Sequence, residues 1–274
     1  MSRDYLVELL NAYWFAPPVA LWRAIEVRTA AEHHYEHPLL DLGCGDGLIG
    51  QVLLGTQEIE VGIDPWLDQL KRAAELNVYG HIHQGNGRHL PYADQAFSMV
   101  FSNSVLEHVP SVEPILRHVR RVLIPGGRFV FTVPSDAFRR MLAGYVERMA
   151  AGDPEGAEAY ARAVDDRFEH HHYHTPGQWQ ELLSSAGMTL LEATYYIPEK
   201  VEHVWDRMNA RYGIGPGWSA WSILVSPRLR LAGFHRVLRR FVVQRLSCRL
   251  RPLYEMDVRP GEKGGGLLVA AQRS

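Results

Sequence analysis

Short apolar runs alternate with stretches of helical periodicity along much of the chain. Apolar runs predict strands at 38–42, 59–63, 78–83, 97–101 and 128–133. Between them, the spacing of apolar residues predicts helices at 48–54, 67–76 and 112–123, with Pro125-Gly126-Gly127 stopping the last one. Strands that alternate with helices in this way predict a parallel sheet with helices on both faces.

The remaining segments are predicted to be mostly helical. Residues 4–30 have helical periodicity that Pro17-Pro18 must interrupt, because proline lacks the backbone N–H and clashes with the preceding turn. Further elements are expected at 136–170 (polar helices with a break near 152–154), 178–186 (helix), 188–197 (strand), 200–255 (irregular, then helical) and 267–271 (strand).

The composition is ordinary for a globular protein of 274 residues, with 46% hydrophobic and 22% charged residues. A net charge of −2 argues against a polyanion binder by bulk charge. Cys44 and Cys248 form no C-x-x-C pair, which argues against a disulfide framework or structural zinc. The first residues lack signal-peptide features and no run approaches ~18 apolar residues, so we expect a cytoplasmic protein without a transmembrane helix.

A glycine-rich turn follows the first predicted strand, in the segment Leu39-Leu40-Asp41-Leu42-Gly43-Cys44-Gly45-Asp46-Gly47. Glycines permit a tight turn and a close approach of the backbone to a ligand, and the next helix presents unpaired N–H groups. The pattern departs from the dinucleotide fingerprint, because Leu48 holds the position of its third glycine. Asp41 would sit badly beside a pyrophosphate, whereas a carboxylate suits the ammonium and sulfonium of S-adenosylmethionine (SAM).

Three further polar segments lie at the carboxyl ends of predicted strands, where open α/β sheets bind ligands. They are Asp64-Pro65, Asn86-Gly87 and the stretch from Asn103 to Glu107-His108. The Asp64 carboxylate can accept hydrogen bonds from ribose hydroxyls. The Asn86-Gly87 segment can contact an adenine through side-chain and backbone groups.

In order and spacing, these motifs resemble those of class I SAM-dependent methyltransferases of the broad type-11 group. The resemblance covers roughly residues 35–135, with a looser match at 174–197 and 264–273. It rests on Asp41-x-Gly43-x-Gly45-x-Gly47, Asp64, Leu90-Pro91-Tyr92-x-Asp94 leading into Phe97, Leu106-Glu107-His108 and Leu123-x-Pro125-Gly126-Gly127.

The resemblance implies SAM as the cofactor. It implies an α/β, Rossmann-like, seven-stranded and mostly parallel sheet whose last strand is antiparallel. It also implies that Asp41, Gly43 and Gly45 line the methionine moiety, that Asp64 holds the ribose, and that the Asn86-Gly87 segment approaches the adenine. The cofactor-binding candidates are Asp41, Gly43, Cys44, Gly45, Gly47, Asp64, Pro65, Asn86, Gly87 and Asn103.

Two positions depart from the family pattern. Asn86 stands where many relatives have Asp, which keeps an acceptor for the adenine amino group but predicts weaker binding. Ser98 replaces a frequent Asp in the fourth strand, where we expect only a local effect. Alternatively, Asp41 and Asp64 could be helix N-caps, and the glycines could form a plain left-handed turn.

The predicted elements and motifs divide the chain into four parts. They are an N-terminal helical lid (1–35), a SAM-binding Rossmann-like core (36–135), a helical substrate insertion (136–180), and the end of the core sheet (181–274), with an arginine-rich helical insertion at 200–255.

Methyl transfer to a hydroxyl needs an aligned acceptor and removal of a proton, and histidine is the usual base near neutral pH. The run His170-His171-His172-Tyr173-His174 offers such groups just before Thr175-Pro176, a predicted helix start. We take His171, His172 and His108 as the candidate catalytic residues. The run could instead be a packed polar loop or bind a metal, and Glu107-His108 could merely pack over the cofactor. No metal site is predicted, since spacing alone rarely proves one.

Residues 207–254 contain ten arginines and no Asp or Glu. Within 228–251, apolar residues recur at helical spacing with arginines between them, which predicts a basic amphipathic helix. Such a helix can contact an anionic membrane surface, bind a phosphorylated or lipid-linked substrate, or form a solvated face over the sheet.

We therefore expect a SAM-dependent methyltransferase that acts on a small-molecule or lipid- or sugar-linked acceptor, with oxygen as the favoured atom. The alternative is a non-catalytic SAM-binding or scaffold protein whose basic segment binds a partner or a membrane. Asp41 and the displaced third glycine disfavour a nicotinamide-dependent oxidoreductase. Nucleic acid is a less favoured acceptor, because base methylation commonly needs a flipped-base pocket and no recognisable binding module is present.

Overall fold

A seven-stranded sheet dominates the structure, which is a computed structural model that describes residues 3–55, 59–212 and 234–274. The strands are β1 (Leu39–Leu42), β2 (Ile59–Asp64), β3 (Tyr79–Gln84), β4 (Phe97–Asn103), β5 (Leu123–Pro134), β6 (Met188–Tyr196) and β7 (Gly266–Arg273). Their order in the sheet is β3-β2-β1-β4-β5-β7-β6.

The helices confirm the predicted alternation with the strands. Those of the described residues are α1 (Tyr5–Ala12), α2 (Pro17–Ala30), α3 (Leu48–Leu54), α4 (Leu67–Leu76), α5 (Glu113–Val122), α6 (Phe138–Met141), α7 (Ala143–Ala150), α8 (Pro154–Phe168), α9 (Pro176–Ser185), α10 (Glu199–Tyr212) and α11 (Phe234–Tyr254). The predicted interruption near Pro17-Pro18 is confirmed, since α2 begins at Pro17. The predicted start of α9 is confirmed as well, because Thr175 caps it and forms a capping box with Gln178.

Strand pairing confirms the predicted sheet. The strands β3, β2, β1, β4 and β5 pair in parallel. The last strand, β7, pairs antiparallel with β5, from Arg128 opposite Gln272 to Pro134 opposite Gly266. Because parallel strands end at the same edge of a sheet, the segments that follow β1, β2, β3 and β4 come together there.

Burial follows the position of each strand in the sheet. β1 is buried along its whole length, as expected of a central parallel strand that is covered on both faces. β3 lies at the edge of the sheet and exposes most of its residues. Helix α5 is amphipathic and contributes Ile115, Leu116, Val119 and Val122 to the core.

Strand β5 is longer than the sequence predicts. The sequence predicts that Pro125-Gly126-Gly127 separates a helix from the strand, but the strand already begins at Leu123. The register with β4 shifts between Phe97 and Met99, so the Pro-Gly-Gly segment forms a bulge inside the strand. Gly126 has φ of +78°, a conformation that glycine adopts without strain.

The described residues form two compact units. The sheet unit comprises the described residues of 29–138, 163–195 and 266–274, and the helical unit those of 1–28, 139–162 and 196–265. The predicted four-part division of the chain stays a prediction. Residues 213–233 of the predicted arginine-rich insertion lie outside the described residues.

The helical unit is held together by packing between helices and by ion pairs. α1 packs against α11, and Arg251 of α11 donates two hydrogen bonds to Asp4, at 3.1 and 2.5 Å. In α10, Asp206 accepts hydrogen bonds from the Gly144 N–H at 2.9 Å and from the Tyr160 hydroxyl at 2.8 Å. No helix within residues 3–55, 59–212 and 234–274 is long and apolar enough to cross a membrane.

Glu202 is a fully buried acid in the helical unit. Its side chain is 0% exposed, and neither carboxyl oxygen has a hydrogen-bond partner among the described residues. Burial raises the pKa of Glu202 well above its usual value, and the charges of Asp206 and Glu199 raise it further. The folded protein therefore holds Glu202 in its protonated form over a pH range in which the unfolded chain ionises it.

We predict that Glu202→Gln stabilises the protein at alkaline pH. A folded-state pKa above the unfolded value gives stability that is present below the unfolded pKa and is lost as the pH rises through the folded pKa. Glutamine does not ionise, so the free energy of unfolding of the Glu202→Gln variant at pH 8 should exceed that of the wild type by about 1–3 kcal/mol.

Urea unfolding at pH 5 and pH 8 measures this difference, with Glu262→Gln as a control at an exposed position of the same unit. The gain should shrink at pH 5, where less of this carboxyl is ionised in the unfolded wild-type chain. A gain of equal size at both pH values, or a loss at pH 8, would contradict the prediction.

Candidate active site

The glycine-rich turn after β1 is tied to the end of β2. The N–H groups of Gly43 and Cys44 both donate to the carbonyl of Ile63, at 2.8 and 3.1 Å. Gly43, Gly45 and Gly47 have φ values of +76°, +55° and +77°, which side chains rarely adopt. The segment is therefore the left-handed turn that the sequence allows, and its backbone faces the ligand edge of the sheet.

Two of these glycines differ in what surrounds them. A Cβ on Gly43 would lie 2.4 Å from Cγ2 of Val105, so the segment after β4 packs directly on the turn. A Cβ on Gly45 would meet no atom within 4 Å among the described residues. Gly45 therefore lines open space, and a ligand can approach its backbone closely.

Asp41 is buried at the end of β1. Its carboxyl is 3% exposed, and the Tyr79 hydroxyl donates a hydrogen bond of 2.6 Å to its Oδ2. Burial raises the pKa of Asp41 to about 7, the negative charge of Asp64 adds to the increase, and the Tyr79 hydrogen bond opposes it. The sequence analysis missed Tyr79, although a tyrosine at a buried position commonly finds a hydrogen-bond partner.

Asp64 closes the other side of the turn. It is 6% exposed, and its two oxygens accept hydrogen bonds from the N–H groups of Gly45 at 3.0 Å and Trp66 at 2.8 Å. Neither Asp64 nor Asp41 is a helix N-cap, because Gly47 caps α3 and Trp66 caps α4. Each Asp64 oxygen keeps a second lone pair, which suits a ligand that offers two hydroxyls.

The residues that follow Asp64 form an apolar surface that the sequence analysis missed. Pro65 accepts a hydrogen bond from the Gln84 side chain through its carbonyl, at 3.0 Å. Trp66 and Leu67 expose 69% and 51% of their surface. Exposed side chains of this size beside a candidate ligand site are suited to contact a flat apolar group.

The other cofactor candidates occupy the neighbouring strand ends. Asn86 is exposed, and its Oδ1 accepts a hydrogen bond of 3.0 Å from the Arg88 N–H. Gly87 is buried, and a Cβ there would lie 3.2 Å from both Ile115 and Leu42. At the end of β4, Asn103 accepts a hydrogen bond of 3.3 Å from the Thr132 hydroxyl.

Cys44 packs into the turn rather than offering a reactive thiol. It is 8% exposed. Burial raises the pKa of its thiol, and the nearby charges of Asp41 and Asp64 raise it further. A protonated thiol at this position acts as a small apolar group.

A group of titratable side chains lies just beyond the segment that packs on Gly43. Ligand atoms of Glu107, His108 and His170 all lie within 4.8 Å of one another, so these three could hold a metal ion. Glu107 is 2% exposed, and its Oε1 is 3.9 Å from Nε2 of His108. The Nδ1 of His108 donates to the Glu169 carbonyl at 3.3 Å, so the neutral ring carries its lone pair on Nε2.

His170 is oriented by a chain of hydrogen bonds. The Tyr173 hydroxyl donates to Asp165 at 2.5 Å, and its oxygen lies 2.9 Å from Nδ1 of His170. Because the tyrosine hydrogen is used by Asp165, Nδ1 of His170 is the donor and Nε2 is the basic nitrogen. Phe138 stacks on Tyr173 with 5.7 Å between ring centroids, which holds the chain in place.

The structure thus brings His108 together with His170 rather than with His171 or His172. The His171 side chain is exposed, and its backbone N–H donates to the Glu107 carbonyl at 2.9 Å. Nε2 of His172 donates to the Val109 carbonyl at 3.1 Å, and its ring stacks on His174. Burial lowers the pKa of His172. The catalytic assignment of His108, His171 and His172 stays a prediction.

The arrangement fits the cofactor that the resemblance implies. The open face of Gly45 leaves room for a ligand against the turn, and the buried carboxyls of Asp41 and Asp64 favour one with positive charge. Asp41, Gly43 and Gly45 would hold the methionine end of SAM and Asp64 its ribose.

We predict that SAM binding is linked to ionisation of Asp41. A cationic ligand favours the ionised carboxyl, so binding near neutral pH should release protons. From the pKa of about 7, the affinity should rise about tenfold or more between pH 5.5 and pH 7.5.

Calorimetric titrations in two buffers of different ionisation enthalpy measure the proton release. Asp41→Asn should bind weakly and without pH dependence, whereas the exposed control Asp68→Asn should behave as the wild type. A wild-type affinity that is constant across this range would rule the linkage out.

Comparisons with known proteins identify the domain and its cofactor class. Residues 40–131 match the family model of a methyltransferase domain. The ubiquinone biosynthesis O-methyltransferase of Coxiella burnetii is 29% identical over 175 residues, which are 60% of this chain and 69% of that protein.

Solved structures share the fold. A SAM-dependent methyltransferase of Thermotoga maritima, described as a possible histamine N-methyltransferase, has a TM-score of 0.56 at 13% identity and covers 98% of this chain and 100% of its own. A geranyl diphosphate methyltransferase in complex with SAM has a TM-score of 0.55 at 13% identity, over 94% of this chain and 90% of its own.

The domain match, the relatives and the shared fold all agree with the SAM-binding motifs of the sequence. The chain carries a SAM-dependent methyltransferase domain at residues 40–131, and its sheet has the class I fold.

Proposed function

We propose that this enzyme transfers the methyl group of SAM to an oxygen atom of a small-molecule acceptor, and that the acceptor is lipid-linked. The observation that carries the proposal is the packing of Val105 on Gly43. His108 follows three residues further along the chain, close to the glycine-rich turn after β1. A histidine in this position can contact an acceptor hydroxyl and take its proton.

His108 is the favoured base, and His170 is its neighbour in the cluster. Their ring centroids are 5.5 Å apart, and both rings are oriented through Nδ1 so that Nε2 is the basic nitrogen. Glu107 lies 3.9 Å from Nε2 of His108, and a buried carboxylate at that distance favours a positively charged ring. A proton taken from the acceptor would therefore rest on His108 Nε2. When bound, SAM supplies a methyl carbon that its positive sulfur activates.

The chemistry of the acceptor is inferred from relatives. The Coxiella burnetii relative is named as an O-methyltransferase of ubiquinone biosynthesis. Ubiquinone carries methoxy groups on a ring that also bears a polyprenyl chain, so a ring hydroxyl on a lipid-linked molecule is the acceptor we propose. An acidic ring hydroxyl also suits a histidine base better than an aliphatic alcohol does.

We propose further that α11 contacts an anionic membrane surface, where such an acceptor would reside. The helix buries Val243, Leu250 and Tyr254 within the helical unit. Elsewhere on its surface the helix exposes Phe241, to 62%, together with Arg239, Arg240, Arg245 and Arg249. These four arginines form no ion pair with any described residue. An exposed aromatic ring among unpaired cations is typical of a helix that rests on a membrane surface.

We predict that His108→Gln lowers turnover by about 10²–10⁴-fold and leaves the dissociation constant of SAM unchanged, because the substitution removes a base and spares the cofactor turn. Formation of S-adenosylhomocysteine from SAM in the presence of phenols and catechols, with and without a prenyl chain, measures the turnover. Tyr173→Phe should lower turnover less and shift its pH profile, since it only breaks the chain that orients His170.

The exposed His34→Gln is the matched control. His171→Gln and His172→Gln test the other candidates from the sequence. Full turnover in both His108→Gln and His170→Gln would exclude the cluster as the base, and loss in His171→Gln or His172→Gln alone would move the base there. Formation of S-adenosylhomocysteine with amines, but with no oxygen acceptor, would overturn the oxygen assignment.

We predict that the protein sediments with phosphatidylglycerol vesicles at low salt and not with phosphatidylcholine vesicles. Each basic residue near an anionic surface contributes about 1 kcal/mol, so replacing Arg240, Arg245 and Arg249 with Gln should weaken binding by about 100-fold. Arg72→Gln, an exposed arginine outside α11, should have no effect. Absence of sedimentation by the wild type at low salt would refute the membrane contact.

A further inference from the structure

A basic cavity lies between α5 and the segment that follows β3, within the sheet unit. It has a volume of about 420 Å³ and is lined by Arg88, His89, Pro114, Arg117, His118 and Arg121. No carboxylate is among the lining residues. The methyl-transfer site described above uses none of these side chains.

The arginines of the cavity differ in how their charge is balanced. Arg121 is fixed, since it donates to the carbonyls of Leu90 and Tyr92 at 2.7 Å and pairs with Asp94 at 2.8 Å. Arg88 and Arg117 are exposed, and neither forms an ion pair or side-chain hydrogen bond within the described part of the chain. Two guanidinium groups therefore border the cavity with their donors available for a ligand.

The positive charge of the arginines affects the histidines that line the cavity. His89 and His118 lie with ring centroids 5.8 Å apart, and Nδ1 of His118 accepts a hydrogen bond of 3.3 Å from Arg121. Burial lowers the pKa of His118, and the charges of Arg121, His89 and Arg117 lower it further. The negative charge of an anion in the cavity would act in the opposite direction and raise the pKa of His118.

We propose that this cavity binds the phosphate group of a small molecule. Guanidinium groups match the oxygen geometry of phosphate through paired hydrogen bonds, and a cavity whose lining residues include several cations and no carboxylate favours a dianion over a monoanion. The volume falls in the range of small-ligand pockets, about 300–1,000 Å³, and a concave site suits a compact phosphate better than a flat protein surface. The inference is independent of the acceptor and of the base proposed above.

The site has built-in pH dependence. His118 faces Arg117 and Arg121 on its own helix, and Arg88 and His89 on the segment after β3; Asp94 is held by Arg121. Because a bound dianion stabilises protonated imidazole, phosphate should raise the pKa of His118.

Calorimetric titration of the full chain with inorganic phosphate and with pyrophosphate, at constant ionic strength, tests the proposal. We expect saturable binding that Arg117→Gln and Arg88→Gln each weaken by about tenfold or more, since each removes a charge-assisted hydrogen bond. The matched control Arg72→Gln, which removes an exposed charge elsewhere in the sheet unit, should bind as the wild type does.

Proton NMR of the His118 ring supplies a second readout that does not depend on methyl transfer. Its resonance should titrate at higher pH when phosphate is saturating. Absence of saturable binding, equal weakening by Arg72→Gln, or binding of a polyglutamate peptide without binding of phosphate would overturn the proposal. Both cavity substitutions are at exposed positions, and unchanged thermal unfolding verifies the fold of each variant.

Discussion

Three backbone N–H groups of one short turn donate to the end of the neighbouring strand, and the ligand edge of the sheet depends on them. Gly43 and Cys44 share the carbonyl of Ile63, and Gly45 uses the carboxylate of Asp64. The turn can bend this tightly because its glycines adopt positive φ. With its polar groups satisfied in this way, the turn presents the Gly45 backbone to open space.

The same turn determines the electrostatics of the site. It buries Asp41 and Asp64 close enough for the charge of one to raise the pKa of the other. Two carboxyls in a region of low dielectric repel each other, and the Tyr79 hydroxyl offsets only part of that cost. A ligand that carries positive charge relieves the repulsion, whereas a pyrophosphate would add to it. The discrimination between SAM and a dinucleotide is thus a property of the turn and its two acids.

Local patterns predict the parts of this molecule that depend on local physics. Strands such as β1 and β4 are apolar because they are buried on both faces. The glycines of the Asp41–Gly47 segment indicate a tight turn by themselves. The bulge in β5 was not predicted, because Pro125-Gly126-Gly127 has the same composition whether it ends a helix or bends a strand. Whether this segment ends a helix or bends a strand depends on its pairing with β4, and the local sequence does not reveal that pairing.

Contacts between side chains that are far apart in the sequence could not be predicted from local patterns either. The run of residues 170–174 has no periodicity that distinguishes its histidines. Only the fold shows that His170 points to His108, 62 residues earlier, while His172 turns to the Val109 carbonyl. Tyr79 and Asp41 are a similar case, since their contact joins residues 38 positions apart. Catalytic candidates in loops are therefore better ranked by which backbone groups already occupy their nitrogens than by their order in the sequence.

The arginines show why the net charge of −2 says little about what this protein binds. Arg121 and Arg251 are structural, because carbonyls and carboxylates of the chain itself use their donors. Three arginines of α11 (Arg240, Arg245 and Arg249) have no such partners among the described residues, and neither do Arg88 and Arg117 at the cavity. The potential near a protein surface is set by charges within about a Debye length, roughly 8–10 Å at moderate salt. Acidic residues elsewhere therefore cannot cancel these local fields, and each basic region can attract an anion although the whole molecule is slightly negative.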